Sequence, residues 1–162
     1  MSAKKTKMSD FISTGLVTQN RRASFDYHIS EKFIAGIELT GTEVKSLRLG
    51  HANITDAFGI DKNGEVYISN MFIAEYSNKG YSSHAEKRDR KLLLKKKEIN
   101  DIIGSIAKKG TTLVAIRLFF NEKGRAKLEV GLGVGKKLYD KRETEKTRDW
   151  NREKARVMAK YA

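Results

Sequence analysis

The sequence predicts a mainly β protein with a few helices: an OB-fold-like antiparallel β-barrel with inserted helices and a basic C-terminal tail. Three observations lead there. Short runs with a two-residue hydrophobic alternation recur through the body, with Gly and Asn at the turns and no Pro anywhere. Only two segments of the body carry a helical period. The last 27 residues hold ten Lys/Arg and five Asp/Glu with few large apolar side chains, too few for a core of their own. The 162 residues therefore divide into a flexible arm over 1–19, a barrel over 20–135 and a tail over 136–162. The tail is expected to be disordered when free and helical against a large anionic partner.

In order along the chain, FDYHIS places Phe25, Tyr27 and Ile29 on one face of a strand that starts at Phe25. FIAGIELTG reads as a second extended run, with Gly36 marking a bulge or bend. Residues 40–49 read as a short helix: Thr40 and Glu43 have capping-box spacing, Val44 and Leu47 form its apolar stripe, and Gly50 stops it. Lys45 and Arg48 share an adjoining, exposed face. Asn63-Gly64 between alternating runs predicts a hairpin with a type I′ turn, and Val66, Ile68, Met71 and Ile73 continue the strand pattern. Residues 77–91 form a polar loop with a basic end, and Leu92 to Leu94 a short buried strand. Residues 96–109 are the clearest helix of the body, since Ile99, Ile102, Ile103 and Ile106 fall at i, i+3, i+4 and i+7. TTLVAIRLFF and GRAKLEVGLG make a long hairpin around Glu122-Lys123-Gly124. An OB-like barrel fits these elements, and such barrels often bind oligonucleotides.

Charge narrows the function. The net charge is +13, and both parts share it: residues 1–135 carry 23 basic and 15 acidic side chains, the tail ten and five. Surfaces of this kind meet phosphate. The absence of Cys removes disulfides, zinc knuckles and thiol chemistry, and fits a reducing compartment. No window reaches the roughly 18 apolar residues of a membrane span, and the basic, polar start lacks the apolar stretch of a signal peptide.

Catalysis has little to stand on. His28, His51 and His84 are far apart and outside metal-ligand spacing, the acids form no acid–base pair, and no metal or cofactor is expected. Gly131, Gly133 and Gly135 resemble a phosphate loop only superficially, and read as the flexible exit from the last strand. The basic patches say more: Arg21 and Arg22 beside Asn20, Lys45 with Arg48, Arg88, Arg90 and Lys91 with Lys87, and Lys127 on the last strand. A solvated face accounts for any one of them. Interleaved with Tyr81, His84 and Tyr139, the set suits folded RNA, whose loops offer unstacked bases. In the tail, Trp150, Val157 and Tyr161 fall within roughly 40° on a helical wheel, opposite Lys141, Arg148 and Arg152. Acid-to-base pairs at i, i+3 (Glu143–Lys146, Glu145–Arg148, Asp149–Arg152, Glu153–Arg156) would each support the helix by roughly 0.2–0.5 kcal/mol. A tail helix packed on the barrel or on a second copy is the alternative. The residues alone leave open an RNA adaptor, a basic OB-like ribosomal or translation factor that binds rRNA directly, and an RNA-processing enzyme.

AGIELTGTEVKSLRLGHANITDAF, RDRKLLLKKKEI and GKKLYDKR, in this order and spacing over about residues 18–150, resemble the signature blocks of the SsrA-binding protein family. The resemblance implies an OB-like, non-enzymatic cytoplasmic protein, monomeric, that binds the tRNA-like domain of transfer-messenger RNA. It implies delivery of the alanyl-charged RNA to stalled ribosomes, with elongation factor Tu and alanyl-tRNA synthetase as functional partners. Carried over by position, Asn20, Lys45, Arg48, Arg90, Lys91, Leu93 and Lys127 would form or support the RNA-binding body. Tyr139, Asp140, Lys141 and Arg142, after Lys136 and Lys137, would enter the decoding centre of the small subunit, and Trp150 the mRNA channel. Three positions depart from the family pattern: Ile34 stands where Glu is frequent, Phe25 where His is frequent, and Ala85-Glu86 where Pro is frequent.

Overall fold

The computed structural model describes residues 11–76, 84–136 and 138–160. Among these, nine strands and four helices follow in order. They are β1 (Gly15–Gln19), α1 (Ala23–Asp26), β2 (Tyr27–Ile37), α2 (Gly41–Arg48), β3 (Ala52–Asn53), β4 (Phe58–Lys62) and β5 (Glu65–Ser69). Then come β6 (Phe72–Ile73), β7 (Arg90–Leu93), α3 (Lys96–Ile106), β8 (Thr111–Phe120), β9 (Ala126–Gly135) and α4 (Leu138–Lys160). The main sheet runs β1-β8-β4-β5-β7-β2-β9, and β8 also pairs with β9. That last pairing closes β8, β4, β5, β7, β2 and β9 on themselves, all antiparallel, with β1 added to β8 as an edge strand. β3 and β6 form a separate two-stranded ribbon.

The mainly β, OB-like class read from the sequence is what the chain adopts. Each strand turns one face inward. Leu128, Val130 and Leu132 of β9 meet Val66 and Ile68 of β5 and Leu113 and Leu118 of β8 in one core. α3 adds Ile102, fully buried, with Ile99, Ile103 and Ile106 packed on the same core. Asn63 and Gly64 take φ of 54° and 76°, the positive pair that a type I′ turn needs. Thr40 caps α2 as its spacing foretold: its hydroxyl accepts from Glu43 N–H, and Glu43 accepts from Thr40 N–H. A cap of this kind contributes about 1 kcal/mol.

Several local expectations need correction. Residues 15–19, expected in a flexible arm, form β1 and pair with residues 117–120 of β8. Phe25 and Asp26, expected at the start of a strand, lie in α1. FDYHIS and FIAGI are one strand from Tyr27, and its irregularity falls between Ile29 and Glu31 rather than at Gly36. Val66 and Ile68 lie in β5, but Asn70, at φ 60°, ends that run before Ile73 joins β6. α3 stops at Ile106, short of Lys108 and Lys109.

GLGVG is no flexible exit. Gly131, Gly133 and Gly135 are paired along β9 with β2. A Cβ on Gly131 would lie 2.8 Å from Ile29 Cγ2 and 2.9 Å from Ile116 Cδ1, and one on Gly133 2.9 Å from Tyr27 Cβ. The glycines let neighbouring side chains cross the strand closely. Residues 1–10, Tyr81, Lys137 and Tyr161 lie outside the described residues.

Candidate nucleic-acid interface

The basic residues singled out in the sequence split into two groups. One group is interior. Arg90 is fully buried, and its Nε donates to Glu43 Oε2. Its other nitrogens donate to backbone carbonyls, including Met71 at 2.6 Å and Glu86 at 3.1 Å. Arg88 Nη2 reaches Glu43 Oε1 at 2.5 Å and Glu38 O at 3.3 Å. Glu43 is thus held by two guanidinium groups and by the Thr40 N–H at 2.9 Å. Burial pushes its carboxyl up. The hydrogen bonds from Arg88, Thr40 and Arg90 and the charge of Arg90 outweigh this and hold it down at about 2. For Arg90 burial pushes the pKa below its ordinary value, and Glu43 opposes the shift.

His84 belongs to the same interior. Its Nε2 lies 3.0 Å from Ile73 O and its Nδ1 2.9 Å from Thr42 Oγ1. A carbonyl only accepts, so Nε2 donates, and in the neutral ring Nδ1 accepts from Thr42. Asn20 is buried too: its Nδ2 donates to Ala115 O at 3.1 Å and Thr55 O at 3.3 Å, and its Oδ1 accepts from Arg22 N–H. Arg48, expected exposed, donates to Ile12 O at 2.7 Å, Ser13 O at 3.0 Å and Gly124 O at 3.1 Å, and lies 4.3 Å from the Phe120 ring centre. Asn20, Arg48, His84 and Arg90 therefore hold strands and loops together; Asn20, His84 and Arg90 are buried, and Arg48 stays partly exposed. Among the described residues every buried side-chain polar atom has a partner.

The second group faces outward. On β7 the burial alternates: Arg90 and Leu92 point in, Lys91 and Leu93 point out. Gly36 of β2 stands between Leu93 and Lys127, pairing with both. A Cβ on Gly36 would lie 3.1 Å from Leu93 Cβ, so the missing side chain leaves a trough between the two neighbours. Ile34, two residues back on the same face, is 55% exposed and Leu93 54%, an unusual exposure for such large side chains. Lys95 at the start of α3 closes one side. The result is an open groove of about 550 Å³ with Ile34 and Leu93 as its apolar floor; Lys91, Lys95 and Lys127 line it together with two acids, Glu65 and Glu98, so its cations outnumber its carboxylates by one. An apolar floor takes the flat face of a base or sugar, and the lysines take phosphate.

Arg21 and Arg22 are exposed elsewhere on the barrel. Arg22 pairs with Asp26 at 3.6 Å and lies 5.2 Å from the Phe25 ring centre. Lys45 is exposed, 5.4 Å from the Tyr76 ring centre. α4 runs from Leu138 to Lys160, and Arg142, Trp150 and every other described side chain of it is exposed. The side chains of Tyr139, Asp140 and Lys141 lie outside what is described. Among the described residues, the expected pairs Glu145–Arg148, Asp149–Arg152 and Glu153–Arg156 form no ion pair.

Sequence reasoning missed Glu43 as the hub of the buried cations, and Ile34, Gly36 and Lys95 as parts of the groove. A signal for the first existed: a strand that buries Leu92 also buries Arg90, two residues away, and that charge needs an acid. Among the described residues no group of His, Asp or Glu is placed to hold a metal ion, and no helix is long and apolar enough to cross a membrane.

Comparison with known proteins gives a consistent result. The family described as SmpB protein matches residues 17–160. The SsrA-binding protein of Allorhizobium ampelinum is 52% identical over 143 residues, 88% of this chain and 90% of that protein. The SsrA-binding protein of Agrobacterium fabrum is 49% identical over 152 residues, 94% of this chain and 95% of that protein. A solved structure described as "tmRNA-SmpB: a journey to the center of the bacterial ribosome" superposes with a TM-score of 0.64 at 44% identity, covering 78% of this chain and 86% of its own. With the family matched from β1 to the end of α4 and relatives half identical over nine-tenths of the sequence, the chain belongs to the SmpB protein family.

Proposed function

We propose that this protein binds the tRNA-like domain of transfer-messenger RNA and delivers the alanyl-charged RNA to stalled ribosomes, where incomplete peptides are tagged. It works as an adaptor without catalysis, as a monomer in the cytoplasm, with elongation factor Tu and alanyl-tRNA synthetase as functional partners. The observation that carries the reading is the exposed groove of Ile34, Leu93, Lys91, Lys95 and Lys127 on a chain whose relatives are named for SsrA binding. Lysines at the rim contact the RNA backbone, and the apolar floor takes unstacked bases or sugars. Arg21, Arg22 and Lys45 add phosphate contacts. Asn20, Arg48, His84, Arg88 and Arg90 support the interface from inside by fixing the strands and loops that carry it.

The tail has a separate task. Its helix-forming composition with exposed side chains suits a segment that orders in the ribosome, and its apolar content is too low to fold alone. Lys136, Lys137, Tyr139, Asp140, Lys141 and Arg142 reach small-subunit rRNA at the decoding centre, and Trp150 lies in the mRNA channel.

The test is a gel shift of the full chain with the tRNA-like domain and with rRNA fragments of equal length, across a salt series. Preferential binding of the tRNA-like RNA, falling steeply with salt as counterions are released, is expected. Equal affinity for the rRNA fragments would favour a factor that binds rRNA directly.

A further inference from the structure

The two acids that line the groove differ. Glu98 is engaged at the start of α3, where its Oε1 accepts from the Lys95 N–H at 3.1 Å. Glu65, half-buried at the start of β5, makes no side-chain hydrogen bond or ion pair among the described residues. Lys62 stands opposite it across the β4–β5 hairpin, yet Lys62 reaches Asp89 at 3.9 Å and the Tyr67 ring centre at 5.3 Å instead. A free carboxylate in a surface that meets phosphate weakens that contact by like charge. It favours a ligand only where the ligand brings hydrogen-bond donors to it.

The strand register locates those donors. β5 pairs with β7 at Tyr67 and Lys91, and two residues further along the same register Glu65 faces Leu93. Leu93 pairs with Gly36, and Gly36 with Lys127. Glu65, Leu93, Gly36 and Lys127 therefore form one row across four strands of the outer face, about 14 Å long at about 4.8 Å per strand. The row has a carboxylate at one end and a cation at the other. Between them lies a bare glycine beside the exposed Leu93 and Ile34. One nucleotide laid across the row puts its phosphate at Lys127, its flat face on the apolar floor and its base edge at Glu65. The two oxygens of an ionised carboxylate accept two parallel donors. Among the four bases only guanine presents two adjacent donors, N1–H and N2–H, on its Watson–Crick edge. Adenine and cytosine set a donor beside an acceptor there, and uracil a donor between two acceptors. We propose, on the reading that this groove binds RNA, that Glu65 is its specificity-determining residue and selects an unpaired guanine.

The test titrates the full chain with the trinucleotides UGU, UAU, UCU and UIU, followed by amide shifts of residues 36, 65, 93 and 127. UGU is expected to bind about fivefold or more tightly than UAU and UCU, the lower end of what a bidentate pair discriminates. UIU, whose inosine lacks the N2 amino group, should fall between. In Glu65→Ala the affinities for UGU and UAU should converge. In Glu65→Gln the preference should move to UAU, because an amide accepts from adenine N6–H and donates to N1. Unchanged shifts along β8 show that each variant is folded. Equal binding of UGU and UAU by the parent, a guanine preference that survives Glu65→Ala, or no shift at these residues at millimolar trinucleotide overturns the proposal. Lys91→Ala with Lys127→Ala separates the two levels. Weaker binding of all four trinucleotides there keeps the groove as the RNA site even where Glu65 proves indifferent, whereas undiminished binding removes the groove and the guanine reader together.

Discussion

β7 carries two cations side by side with opposite fates. Arg90 points into the barrel, is fully buried and is tied to Glu43, while Lys91 points out and rims an open groove. The same contrast separates Arg48, spent on three backbone carbonyls and the Phe120 face, from Lys45, exposed three residues earlier on the same helix. A basic protein thus has two kinds of positive charge. One kind fixes the shape, and its loss is felt as stability. The other waits for a partner, and its loss is felt as affinity. Net charge and sequence clusters do not tell them apart; strand alternation and burial do.

The strongest break in this division is Glu43→Ala, which strands two arginines, one of them fully buried. Removing one partner of a buried pair costs about 3–5 kcal/mol, so the midpoint of urea unfolding should fall steeply. Acid offers a second route to the same pair. Glu43 is held at about 2 in the fold against an ordinary 4.5. Its folded pKa is depressed, so its contribution is complete above the unfolded value and is lost as pH falls through the folded one. A loss of roughly 3 kcal/mol between pH 5 and 2 follows at about 1.4 kcal/mol per unit. Glu43→Gln should flatten that part of a pH–stability curve. Arg48→Ala should cost about 1–3 kcal/mol by removing its hydrogen bonds to three carbonyls and its contact with Phe120, while Lys45→Ala stays within about 0.5 kcal/mol. Equal effects at the two positions would erase the distinction on α2.

The smallest effect on stability is expected in the tail. Replacing Tyr139, Asp140, Lys141 and Arg142 together with Ala should leave the unfolding midpoint and binding to the tRNA-like RNA unchanged while stopping the tagging of stalled peptides. Tail amides in the free protein should exchange hydrogen far faster than those of β8 and β9, because the helix has no packed face. Normal tagging by the fourfold variant, or slow exchange along α4, would make the tail a structural part of the body.

Local chemistry was legible in the sequence. Thr40 with Glu43, Asn63-Gly64 and the isoleucines of α3 each rest on contacts within a few residues, and each took its expected form. What the sequence hid depends on distant partners. β1 became a strand because β8 offers it residues 117–120, and GLGVG became strand because Ile29, Ile116 and Tyr27 need the space its glycines leave. The groove was hidden for the same reason: Ile34, Leu93 and Lys127 meet only through the pairing of β2 with both β7 and β9. Arg90 and Lys91, adjacent in a basic run, read as one patch until the two-residue period of β7 separates them.

The central claim is that outward cations bind RNA while inward ones hold the fold, and Lys91→Ala with Lys127→Ala tests it most directly. Unfolding midpoint and affinity for the tRNA-like RNA are measured on the same double variant across a salt series. Stability within about 0.5 kcal/mol of the parent is expected, with weakened binding and a salt slope smaller by roughly 0.7–0.9 for each phosphate left without its lysine. Unchanged affinity and slope, or weaker binding matched by an equal fall in stability, would contradict it.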